Sequence, residues 1–232
     1  MSIEKNKKIL EFLDIIETND VYYATESDKS FLRLYDACDD FYISQKHINS
    51  VWSYLTSQFL SLQALKSTVN PISILHTNAG TGKVLADCPS DATQITAFNT
   101  DYTCKRISDM MNQLAKVEFR YSSEVTDISH FYALGDKGNS REHDIVFTQP
   151  IKSDYYRKID TTRVASYDSL LYYSVRSLDF LVKGGYLCVF AHPKKFSILK
   201  NNSDIYSQTK LVYTYENINK FNEYGCLIFK KN

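Results

Sequence analysis

Glycine is scarce in this chain, at seven residues in 232. Each one therefore marks a place where the backbone needs unusual freedom or a close approach. Proline is scarcer, at four, so sharp punctuation between elements is rare. The five cysteines never stand as C-x-x-C, which argues against a zinc site. Scattered free thiols fit a reducing cytoplasm. The five histidines (His47, His76, His130, His143, His192) show no H-x-x-x-H spacing, so no metal is expected. There is no excess of either charge: 27 Lys and Arg balance 27 Asp and Glu. That balance argues against strong non-specific DNA binding by this chain alone. No apolar run approaches a membrane span, so no membrane partner is expected. The opening MSIEKNKKILEFLDII is interrupted by Glu11 and Asp14 and does not read as a secretion signal.

What is present is ordinary globular material, with 44% hydrophobic and 23% charged residues. Residues 1–70 read as a helical extension. Ile9, Leu10, Leu13 and Ile16 recur at helical spacing, as do Val51, Trp52, Leu55, Phe59, Leu62 and Leu65. Pro71 punctuates the chain, and residues 71–232 read as one α/β domain. Its strand candidates are ISIL (72–75), QITAF (94–98), VEFRY (117–121), DIVF (144–147), YLCVFA (186–191), KLVYTYE (210–216) and YGCLIFKK (224–231). CKRISDMMNQLA (104–115) and SYDSLLYYSVRSLDFLV (166–182) read as helices, the second closed by Gly184-Gly185 as a C-cap. Strands alternating with helices predict a mostly parallel seven-stranded sheet, and the last two runs predict an antiparallel hairpin. Ligands bind such sheets at the carboxyl ends of the strands. The polar ends HTNAGTGK, NTD and TQP therefore carry the functional expectation.

The stretch HTNAGTGKV (76–84) holds Gly80 and Gly82 directly after a strand. It is not a P-loop, because Thr77 and Val84 occupy two of the four fixed positions. It is not a Rossmann G-x-G-x-x-G, because Leu85 takes the third glycine position. Instead, ILHTNAGTGKVL resembles the cofactor loop of class I S-adenosylmethionine-dependent methyltransferases. ITAFNTDYTCKRIS resembles that family's next segment, and LDFLVKGGYLCVFAHPKKF (178–196) its later turn and strand. The PKKF tail, and DDFYISQKHINSVWSYL (39–55) ahead of the domain, resemble adenine-N6 DNA methyltransferases of restriction–modification type. The resemblance implies a Rossmann-like class I methyltransferase fold with S-adenosylmethionine as cofactor. It implies cofactor contacts from Ser44, Asn78, Gly80, Gly82, Asn99 and Asp101.

The same resemblance gives meaning to DIVFTQPIK (144–152). In that family the fourth strand ends in N-P-P-Y or D-P-P-Y. Here Gln149 takes the amide position and Pro150 the first proline, so both are the implied catalytic residues. Ile151 and Lys152 replace the second proline and the aromatic. An adenine amino group is a poor nucleophile until two acceptors orient its lone pair. The aromatic stacks on the flipped base. Gln149 keeps the acceptor but adds a methylene, so the motif is degenerate. Asn99 stands where a ribose-binding carboxylate is usual, with Asp101 two residues on. Lys83 follows the second glycine, where a small or apolar residue is usual.

Two readings follow. One is an adenine-N6 DNA methyltransferase-like enzyme without its own target-recognition domain, which implies DNA and a partner subunit supplying recognition. The alternative is a catalytically degenerate methyltransferase-fold protein acting as a binding subunit or a DNA or protein partner. RNA and protein glutamine remain open as substrates.

Overall fold

The computed structural model describes residues 2–19, 22–35, 43–65, 71–77, 79–89, 93–97, 102–112, 119–121, 142–149, 169–216 and 224–232. Helices α1 (Ser2–Glu17), α2 (Glu26–Leu32) and α3 (Gln45–Leu65) come first. Then follow β1 (Ile72–His76), β2 (Thr93–Ala97), α4 (Tyr102–Asn112), β3 (Phe119–Tyr121) and β4 (His143–Thr148). The chain continues with α5 (Ser169–Ser177), β5 (Leu181–Ala191), the short helices α6 (Phe196–Lys200) and α7 (Ser203–Gln208), β6 (Thr209–Tyr215) and β7 (Gly225–Lys231).

The seven strands form one sheet in the order β3-β2-β1-β4-β5-β7-β6. The first five are parallel. β7 is antiparallel to β5, and β6 is antiparallel to β7. β6 therefore runs in the same direction as β5. This is the predicted parallel sheet with its antiparallel hairpin, and it has the Rossmann-like class I methyltransferase arrangement.

Strand side chains alternate between faces. Ile145, Phe147, Tyr186, Cys188, Phe190, Cys226 and Ile228 point to one face. There they meet the stripe of α3, namely Ile48, Val51, Trp52, Leu55, Phe59 and Leu62. Val146, Leu187, Val189, Ala191, Leu227 and Phe229 point to the other face, against α5, α6 and α7. A third cluster joins Ile9, Leu13 and Ile16 of α1 to Leu32 of α2 and Ile107, Met110 and Met111 of α4. Arg106 on α4 ties this cluster to α1, donating to Glu17 at 2.9 Å and pairing with Asp14.

The sequence reading fails at the end of α5. The helix stops at Ser177, a short 3-10 turn covers Leu178–Phe180, and Leu181 already belongs to β5. Gly184 and Gly185 are not a helix cap. His143 of β4 faces Leu181 and Ile145 faces Tyr186, so β5 carries extra residues between these points and bulges. Gly184 takes φ +79° in that bulge. Pairing of Leu181 with β4 overrides the helical period of LDFLV.

Candidate cofactor cleft at the carboxyl rim of the sheet

The parallel register sets the geometry of the site. His76 of β1 stands level with Ala97 of β2 and Phe147 of β4, and Phe147 is level with Cys188 of β5. The residues that follow these strands therefore share one rim. Thr77 continues the ladder, with its N–H donating to the Phe147 carbonyl at 3.0 Å. Its hydroxyl donates to the Thr148 hydroxyl at 3.1 Å, and both side chains are buried. This pair binds the rim ends of β1 and β4 together, and a buried hydrogen bond of this kind contributes about 1 kcal/mol. Gln149 is the next residue of β4's exit and is half-buried. It thus lies beside the start of the glycine turn.

The turn itself is built from two left-handed glycines. Gly80 has φ +54° and Gly82 has φ +73°. A Cβ added at Gly80 would meet nothing within 4 Å. Packing therefore does not require glycine there; the backbone conformation does. The space beside Gly80 is open, as a backbone cradle for a ligand needs. After the turn the chain does not enter a regular helix. Gly82 donates to the Ala79 carbonyl at 2.9 Å, while Leu85 and Ala86 both donate to the Gly82 carbonyl at 3.0 Å. Val84 and Leu85 are buried in the α3-side core.

Side chains from distant segments hold this run of turns. The indole N–H of Trp52 donates to the Val84 carbonyl at 2.6 Å. Asp87 accepts from Arg33 at 2.9 Å and also from the Gln45 side-chain amide. The Lys83 ammonium donates to the Tyr35 carbonyl at 2.9 Å. Lys83 is thus committed to the end of the α2 segment.

Of the residues implied at the site, Ser44, Gly80, Gly82 and Gln149 are described. Asn78, Asn99, Asp101 and Pro150 lie outside the described residues, as do Ile151 and Lys152. Ser44 precedes α3, and its carbonyl accepts from His47 and Ile48 at 3.0 and 3.1 Å. Its hydroxyl lies 3.2 Å from His47 Nδ1. Ser44 therefore serves as the N-terminal anchor of α3. Its neighbour Gln45 is the residue that reaches the glycine turn, through Asp87.

The two histidines that follow apolar runs behave differently. His76 is fully buried and stacks on Phe147 at 5.7 Å, and burial lowers its pKa to about 3. It is a neutral core ring below the rim. His192 is half-buried at the exit of β5, where its Nδ1 accepts from the Lys194 N–H at 3.2 Å. Sequence reasoning missed the Thr77–Thr148 pair and Asp87. Both act through partners more than forty residues away, with no local pattern to signal them. Among the described residues no group of three metal-ligating side chains converges. No described helix is long and apolar enough to cross a membrane.

No protein-family model matches the sequence, and no curated protein matches it. Solved structures do match the fold. A Listeria monocytogenes protein assigned to the class I S-adenosylmethionine-dependent methyltransferases superposes with a TM-score of 0.54 at 13% identity, covering 88% of this chain and 67% of that one. An S-adenosylmethionine-dependent O-methyltransferase of Thermotoga maritima gives 0.50 at 11% identity, covering 82% of this chain and 66% of that one. A protein assigned as a methyltransferase, solved with S-adenosylhomocysteine, gives 0.52 at 10% identity, covering 70% and 46%. The chain spans about two thirds of the first two neighbours and under half of the third.

Proposed function

We propose that the protein is an S-adenosylmethionine-dependent methyltransferase acting on the amino group of adenine in nucleic acid. The observation that carries the cofactor assignment is the pair of left-handed glycines on the exit of β1, with open space beside Gly80. This backbone fits the methionine part of the cofactor, which needs a close approach free of side chains. The neighbour holding S-adenosylhomocysteine supports the same reading. When bound, S-adenosylmethionine supplies an electrophilic methyl group. Asn99 and Asp101 come after β2 in the sequence, and the family resemblance implies that this stretch binds the ribose hydroxyls.

The place of Gln149 beside the turn supports the role that the resemblance implies for it. Its side-chain oxygen accepts a hydrogen bond from the adenine amino group, and the Pro150 stretch supplies a second acceptor. Together they turn the nitrogen lone pair toward the methyl group. The extra methylene of Gln149 relative to asparagine shifts the acceptor by roughly an ångström, a displacement able to cost about a hundredfold in rate. Slow turnover is therefore expected. Recognition of a target sequence falls to a partner subunit.

Calorimetric titration with S-adenosylhomocysteine tests the cofactor reading first. Micromolar binding by folded protein is expected; no binding to it or to S-adenosylmethionine overturns the assignment. Transfer of a labelled methyl group to adenine, lost in Gln149→Ala, then tests the substrate reading. Transfer unaffected by that change would remove Gln149 from the chemistry.

A further inference from the structure

A second surface lies on the α3 face of the sheet, away from the glycine turn. An open groove of about 730 Å³ runs between α3 and β6, lined by Lys46, Asn49, Ser50, Ser53, Tyr54 and Tyr213. Tyr54 and Tyr213 stack with ring centroids 4.8 Å apart. Tyr186 lies buried beneath this pair, 6.3 Å from Tyr54, and Lys230 sits 5.5 Å over its ring. Lys210 pairs with Lys230 across β6 and β7, so both lysines share this face. The irregularity between Leu211 and Tyr213 turns Val212 and Tyr213 together toward α3.

The charge of this face is one-sided although the whole chain is neutral. α3, β6 and β7 contain no aspartate or glutamate. Their charged residues are Lys46, Lys210, Lys230 and Lys231. Lys231 points to the other face, where it donates to the Leu178 and Leu181 carbonyls at 2.8 and 2.7 Å. Three lysines, the stacked half-buried pair Tyr54 and Tyr213, and short hydroxyl and amide side chains remain. Single-stranded nucleic acid matches that combination: cations follow the phosphates, and aromatic rings offer stacking surfaces to unpaired bases.

We propose that the groove between α3 and β6 binds single-stranded nucleic acid and delivers it toward the rim. β6 runs parallel to β5, so its exit at Tyr215 lies on the same edge as the exits of β1 and β4. His47 of α3 contacts Tyr215 there, with ring centroids 3.7 Å apart. Two residues earlier, Gln45 bonds Asp87 of the glycine run. A strand lying along β6 thus ends beside the cleft. This deepens the methyltransferase reading and rests on it only for the purpose of delivery, not for the binding itself.

Fluorescence anisotropy with labelled twelve-nucleotide oligouridylate and oligodeoxythymidylate tests the groove without any cofactor. Wild-type protein is expected to bind at micromolar concentration in low salt. Lys46→Gln/Lys210→Gln/Lys230→Gln should weaken binding about tenfold and lower the salt slope by about 2, at about 0.7 for each phosphate no longer neutralised. Tyr54→Leu keeps apolar volume and should weaken binding about fivefold while leaving the salt slope unchanged, which separates stacking from charge. Lys5→Gln/Lys7→Gln/Lys8→Gln on α1 should change nothing. Thermal melts establish that each variant is folded. Binding to either sugar supports the proposal, and a preference names the natural strand. No binding by folded wild-type protein overturns it, as does an unaffected lysine variant or tighter binding to a duplex of the same length. Because no cofactor is present, loss here is distinct from failure to bind S-adenosylhomocysteine.

Discussion

Two glycine pairs in this molecule look alike in sequence and do opposite work. Gly80 and Gly82 lie in the turn after β1, and Gly184 and Gly185 in the bulge of β5. Gly80 and Gly184 both take left-handed backbone, at φ +54° and +79°. Around Gly80 a Cβ would find open space, whereas at Gly185 it would stand 2.8 Å from the Asp144 carbonyl oxygen. At Gly184 it would stand 2.7 Å from the tip of Leu65, a side chain that is 61% exposed and free to move. Conformation without crowding marks a place kept open for something else to fill. Crowding marks a place where the fold itself fills the room.

The contrast can be broken by substitution. The largest effect is expected at Gly185→Ala, where backbone on two sides must shift. It should lower stability by about 3 kcal/mol while leaving S-adenosylhomocysteine affinity of the folded fraction unchanged. Denaturant melts and calorimetry together check this. Next is the strand just before the open turn. His76 has a folded pKa lowered by burial from 6.5 to about 3, so the unfolded chain binds more protons between those values. Its neutral form contributes fully above pH 6.5, and that contribution falls as pH drops, at up to about 1.4 kcal/mol per unit. Melts from pH 7 to 4.5 should show this slope, and His76→Gln should flatten it.

Gly80→Ala and Gly184→Ala form the sharpest pair. Both should lose about 1–2 kcal/mol from left-handed strain. Only Gly80→Ala should also weaken S-adenosylhomocysteine binding, by about tenfold, the equivalent of one hydrogen bond. Equal affinity in the two variants would end the assignment of the turn. Asp87→Asn should reduce that affinity about threefold by loosening Arg33 from the turn, since a charge-assisted bond is worth about 2 kcal/mol. Lys83→Gln should change it by less than about twofold, because the ammonium faces the Tyr35 carbonyl, where a shorter neutral donor loses about 1 kcal/mol of local stability.

The sheet was readable because its strands are short apolar runs bounded by polar ends, and all seven proposed runs became strands. The α3 stripe was readable for the same reason: Val51, Trp52, Leu55, Phe59 and Leu62 are all buried. Leu65, the last residue of the helix, is 61% exposed. The error at residues 178–185 arose where one apolar run satisfies two periods. Only the distant partner β4 decides between them. At the rim, Gly80 and Gly82 stood out as scarce glycines directly after a strand, and Gln149 through the resemblance of DIVFTQPIK to the family's fourth-strand motif. Asp87, Thr77 and Thr148 are ordinary residues whose roles come from pairing across the fold. Lys83 shows the limit of family resemblance: its neighbour in space is a carbonyl 48 residues earlier.

The position of α3 in the chain has a consequence for how the protein is made. Its stripe is complete at Leu62, yet part of the surface it packs against is Cys226 and Ile228. During synthesis, at about 5–20 residues per second, the helix waits roughly 8–30 s before that last strand exists. Throughout that interval the α3 stripe lacks the cover that Cys226 and Ile228 add to its cluster. The newborn chain thus stays open to association with other chains until β7 is in place, and a chaperone that holds α3 would help during that wait.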